Sequence, residues 1–165
     1  MPILTPVTPF VDGPIINAGR LNQLNSLIAE LQTGTARGIL STATSTVDAN
    51  STSLALVPIL GLGGTITNDS SRTLQAVFQG KLSVSAAGLI VYVLVTINGL
   101  VSVQLQQPLS AAGGPGQTIP NVTGVAVAVP AGAVAVAASM RLQYGAGTAT
   151  VVAGATLQII DQGAS

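Results

Sequence analysis

The chain has 165 residues, 48% of them hydrophobic, with five basic and five acidic side chains, no histidine and no cysteine. A neutral chain with no run of Lys or Arg lacks the footprint that neutralises nucleic-acid phosphates or grips an anionic membrane. Without Cys or His, disulfides, thiolate chemistry and zinc thiolate sites are excluded, as is the side chain best suited to proton transfer near neutral pH.

Residues 1–16 hold Pro2, Pro6, Pro9 and Pro14, which forbid helix and favour an extended arm with Ile3, Leu4, Val7 and Phe10 as its apolar contacts. No positive charge precedes an apolar run here, so a signal peptide is not expected. Asp12-Gly13-Pro14 marks a turn. One short α-helix is expected over 18–33, with Asn17 as N-cap and Gly34 just past its end. Leu21, Leu24, Ile28 and Leu31 repeat at spacings of three, four and three, a seam of coiled-coil type. That seam packs either on the protein's own β-domain or around a symmetry axis with its copies.

Residues 34–53, rich in Thr, Ser, Ala and Gly, read as a linker or an extended run with at most one weak strand. From 54 to the end the chain reads as β. Strands are expected at 54–60, 64–68, 72–79, 81–85, 89–98, 100–106, 122–129, 133–144, 148–152 and 155–161. Asn98-Gly99 between two β-branched runs is the clearest hairpin signal, and Pro130-Ala131-Gly132 the next. Val125, Val127 and Val129 alternate with Ala126 and Ala128, giving a sheet with large side chains on one face and very small ones on the other. With no helix between the strands, the pattern predicts an all-β, antiparallel jelly-roll sandwich over 54–165, preceded by the arm and helix of 1–33 and the linker of 34–53.

Candidate chemistry is sparse. Gly61-Leu62-Gly63-Gly64-Thr65 lacks the Lys of a phosphate loop and reads as a turn. Asp12, Asp48, Asp69 and Asp161 are not paired at metal-ligand spacing, so no metal or cofactor is expected; Asp69 suits an Asx turn and Asp161 an ion pair with Arg141. Lys81 with Ser83 and Ser85 is the nearest approach to a serine and lysine couple, but a lysine on an edge strand is a routine guard against aggregation. Phe78 and Tyr92 read as core, and Tyr144 as the one aromatic projecting from a strand end. No enzyme is expected.

Two segments carry a family resemblance. The run Lys81–Tyr92 with its Gly88-Leu-Ile-Val-Tyr92, the Ile97-Asn98-Gly99 hairpin, Val127–Gly132, Met140–Tyr144 and the closing Ala155-Thr-Leu-Gln-Ile159 resemble the TNF/C1q-like jelly rolls of phage virion proteins. The front, Phe10-Val-Asp-Gly13 followed by Ala18-Gly-Arg-Leu21-Asn22, is similar to the amino-terminal attachment segments of tail-fibre and capsid accessory proteins of tailed phages. The resemblance implies a homotrimer fastened to the virion through its N-terminal part.

From Leu82 through Met140 there is no Asp, Glu, Lys, Arg or His, whereas a free monomer normally covers roughly a quarter or more of its surface with mixed charge. The expected function therefore lies in interfaces. The leading expectation is a homo-oligomeric capsid decoration or cement protein on the capsid exterior, with the major capsid protein or another virion protein as partner. A short tail or head fibre is the alternative, though the loop 110–120 offers mainly Gly, Ala, Ser and Pro for adhesion. An oligomeric β-pore is disfavoured because aromatic girdles are missing, and no membrane or nucleic-acid partner is expected.

Overall fold

The computed structural model describes residue 25 and residues 38–109, 116–143 and 146–164. The chain divides into two units, Met1–Arg37 and Gly38–Ser165. The arm contacts Ile3, Leu4, Val7 and Phe10 and the helix seam Leu21, Leu24, Ile28 and Leu31 lie outside the described residues.

Every described element of the second unit is a strand: β1 (Gly38–Thr44), β2 (Ala49–Ser51), β3 (Val57–Asn68), β4 (Arg72–Val84), β5 (Ile90–Ile97), β6 (Leu100–Pro108), β7 (Gln117–Thr123), β8 (Val127–Val129), β9 (Gly132–Leu142), β10 (Ala149–Val151) and β11 (Thr156–Ala164). They form two antiparallel sheets. Sheet B runs β3-β9-β5-β6. Sheet A is organised on the 13-residue β4, which pairs β11 and then β10 along one edge, and β8 and then β7 along the other. β1 extends the sheet beyond β11, and β2 extends it beyond β10.

Period-2 alternation explains the core. Leu74, Ala76, Phe78, Leu82 and Val84 of β4, with Leu157 and Ile159 of β11 beside them, face Val91, Val93, Val95 and Ile97 of β5 and Val134, Ala138, Met140 and Leu142 of β9, all buried in one cluster. Each aliphatic side chain so covered contributes about 1.5–3 kcal/mol relative to exposure. One end of this core is polar. Arg72 and Asp161 sit at inward positions on β4 and β11, their side chains 8% and 1% exposed, with Arg72 Nη1 donating to Asp161 Oδ2 at 2.5 Å. Asp161 Oδ1 accepts from the Gly163 amide. The partner of Asp161 is thus Arg72, not Arg141, whose guanidinium lies 4.7 Å from the Tyr92 ring centre and donates to the Leu54 carbonyl.

Several expectations are corrected. The segment read as a linker supplies β1 and β2, because Thr, Ser and Ala backbone pairs as well as any other once β11 and β10 offer free edges. The breaks expected at 61–63 and at Gly80 fall within the continuous strands β3 and β4. The strand expected over 122–129 is cut after Thr123, so Val127 and Val129 are buried while Val125 is exposed. Tyr92 is on the outer face of β5, drawn out by Arg141. Lys81 lies on the outer face of central β4, so it guards no edge. The Asn98-Gly99 hairpin is present, with both residues at positive φ (51° and 79°) as a two-residue turn between twisted strands requires.

Candidate interaction surface

The sandwich has two lateral walls, where an edge strand of sheet A lies beside an edge strand of sheet B. On one, β1 meets β3; on the other, β6 meets β7 and β8. Their construction differs.

At the second wall a bulge does the joining. The β5–β6 register slips between Val95, opposite Val103, and Thr96, opposite Val101, which leaves Ser102 outside the ladder and turns it toward sheet A. Buried Ser102 Oγ accepts from the Ala76 amide at 3.1 Å and donates to the Val125 carbonyl at 2.7 Å. The Val125 amide donates to the Ser102 carbonyl, and the Gly124 amide to the Ala76 carbonyl, both at 2.8 Å. This crossing requires glycine at 124, where a Cβ would stand 2.5 Å from the Ser102 carbonyl oxygen. Around this knot Leu100, Val101 and Val125 are exposed.

The first wall is open. A cleft of about 140 Å³ runs between the sheets there, lined among others by Ala43 of β1, Gly64 and Ile66 of β3, and the core residues Leu157 and Ile159. Next to it β3 carries a large bulge: Pro58 is opposite Ser139 and Gly63 opposite Ala137, so the four residues Ile59–Leu62 face a single residue of β9. Ile59 and Leu62 turn into the core, and Gly61, at φ 83°, lets the chain pass close to the Thr44 carbonyl. Leu60 is pushed outward, 65% exposed. Leu54 and Leu56, in the bend before β3, are also exposed, as are Val47, Ile39 and Leu40. Six of the nine exposed large hydrophobics therefore fall between residues 39 and 60.

Charge is sparse: the unit 38–165 has six charged side chains, Asp48, Asp69, Arg72, Lys81, Arg141 and Asp161, of which Asp48 adjoins Val47 and Arg141 holds the Leu54 carbonyl. Arg72 and Asp161 neutralise each other inside, and Asp48 caps the Ala153 amide. Among the described residues no cluster of three acidic or other metal-ligating side chains occurs, and no helix is long and apolar enough to cross a membrane. Lys81 lies on the same outer face as Ser83, while Ser85 Oγ accepts from the Thr148 amide. Sequence reasoning missed Ser102 and the outward leucines. The polar residue interrupting Leu100-Val101-Ser102-Val103 was a usable signal for the first; the second needed the register of β3.

No protein-family model matches the chain, and no curated protein matches it. Solved structures to which it is similar include dimeric latent PorU from Porphyromonas gingivalis, at 11% identity and TM-score 0.42, covering 78% of this chain and 13% of that one. The infectious bursal disease virus Gx strain structure is matched at 13% identity and TM-score 0.40, over 76% of this chain and 32% of that one. A Podospora anserina GH26-CBM35 β-(1,4)-mannanase is matched at 12% identity and TM-score 0.38, over 79% and 27%. The chain spans about a third or less of each of these proteins, and likeness at this level assigns neither family nor function.

Proposed function

We propose that the chain is a non-enzymatic structural protein of a virion: a homo-oligomeric capsid decoration or cement protein, trimeric and carried on the capsid exterior, whose second unit is a jelly roll. The strand order supports the jelly-roll reading. Each sheet interleaves early and late strands, β1-β11-β4-β7 and β3-β9-β5-β6, as two nested Greek keys do. The observation that carries the functional reading is the surface. In the unit 38–165 four charged side chains lie outside the core, against nine exposed large hydrophobics among the described residues, which supports a molecule whose neighbours are other protein molecules. Many shallow apolar contacts multiplied by symmetry stabilise a shell without any one strong site.

The test is the native mass of the full-length chain, alone and with emptied capsid shells of its source particle. The expected result is a trimer that binds the shells and raises the temperature at which they open. A monomer that ignores shells overturns the proposal. Deleting residues 110–120 separates the two virion roles: host adsorption lost from intact particles favours the fibre instead.

A further inference from the structure

We propose that Asn98 is a self-modifying site: the Gly99 backbone nitrogen closes on the Asn98 side-chain amide, ammonia leaves, and water opens the ring to aspartate or isoaspartate at the tip of the β5–β6 hairpin. This chemistry is independent of the virion reading.

Of the seven asparagines in the chain only Asn98 precedes a glycine. Ring closure is an intramolecular attack, and its rate depends on how freely nitrogen and side-chain carbon can meet. A side chain on the following residue crowds that approach. Gly99 has none, and nothing lies within 4 Å of the place a Cβ would take. Both residues are exposed. The nucleophile is unengaged as well. The Asn98 amide donates to the Ala135 carbonyl at 2.7 Å and the ladder closes between Ile97 and Leu100, whereas among the described residues no backbone hydrogen bond holds the Gly99 amide. A hairpin tip opens locally at low cost, which lets the side chain rotate over that nitrogen. The other asparagines of the unit are held differently. Asn50 Oδ1 accepts from Thr150 Oγ1, Asn68 is buried, and Asn121 lies within β7 ahead of the β-branched Val122.

The step balances with water as the sole co-reactant. Hydroxide removes the Gly99 N–H proton, the nitrogen bonds to Asn98 Cγ, and the Cγ–Nδ2 bond breaks as ammonia departs. Water then adds to the cyclic imide. Addition at Cγ restores the ordinary main chain with aspartate at 98; addition at the main-chain carbonyl carbon leaves Gly99 joined through Cγ, an isoaspartate. Either product puts an ionised group into the otherwise charge-free stretch Leu82–Met140, beside exposed Leu100 and Val101. The isoaspartate also lengthens the main chain by one methylene, inside a two-residue turn whose φ angles of 51° and 79° fit the twist of the flanking strands. The turn then no longer holds Ile97 opposite Leu100.

The experiment ages the full-length wild-type chain in mildly alkaline buffer, maps conversion of each asparagine by peptide mass spectrometry with enzymatic methylation of isoaspartate, and follows amide hydrogen exchange over residues 97–101. Conversion at Asn98 should be at least about tenfold faster than at Asn50 or Asn121, a barrier difference of about 1.4 kcal/mol. Exchange over 97–101 should quicken only in chains that carry isoaspartate. Asn98→Asp, which has the charge without the longer main chain, should exchange like fresh wild type, and Asn98→Gln, which must close a larger ring, should stay unconverted over the same period. A smaller rate ratio at Asn98 overturns the site, and isoaspartate with unchanged exchange over 97–101 overturns its effect on the turn.

Discussion

The two lateral walls solve the same problem, closing two sheets over one core, in opposite ways. At β6/β8 the sheets are tied by hydrogen bonds through Ser102, Gly124 and Val125. At β1/β3 they diverge around a cleft that reaches Leu157 and Ile159. The difference teaches that the tied wall provides rigidity within one molecule, while the open wall, among the described residues, leaves apolar side chains exposed. Stability changes should track the first wall and association changes the second.

A reference for the scale is the Arg72–Asp161 pair, which lies inside and belongs to neither wall. Arg72→Ala leaves a buried carboxylate unpaired and should cost about 3–5 kcal/mol in denaturant unfolding. On the tied wall, Gly124→Ala forces a Cβ against the Ser102 carbonyl and should cost about 1–3 kcal/mol. Ser102→Ala strands the buried Ala76 amide, at about 1–2 kcal/mol by the same measurement. On the open wall, Leu60→Ser should change monomer stability by less than about 0.5 kcal/mol while lowering the native mass at a fixed concentration. A Leu60→Ser variant that unfolds as readily as Ser102→Ala would erase the distinction between the walls.

Much of the β-half was legible in the sequence, because β5, β6, β9 and the Asn98-Gly99 turn combine strict alternation with an unambiguous turn dipeptide. Boundaries failed where glycine served packing instead of turning. Gly80 sits inside β4 against Phe78 and Ala155, Gly61 belongs to the bulge opposite β9, and Gly63 resumes the pairing there with Ala137. β1 and β2 read as at most one weak strand because their small Gly, Ser and Ala residues dilute the pattern and their pairing partners β11 and β10 lie about 100 residues or more away. The candidate surface was legible as a deficit of charge, but not as a place: the stretch 54–60 reads only as a strand, and it takes the bend before β3 and the bulge within it to leave Leu54, Leu56 and Leu60 exposed.

The centrality of β4 also sets the order of events in folding. It is complete at Val84, yet the strand that pairs its first eight residues is β11, beginning at Thr156, and among the described residues β1 pairs only with β11. Such distant pairings carry a large loop-closure penalty before any contact repays it, which places the chain among slow-forming, high-contact-order topologies. During synthesis the pairings of β1 and of Arg72–Gln79 with β11 wait for that strand to emerge, so a ribosome stalled short of Thr156 would hold a sticky, half-built sheet in need of a chaperone.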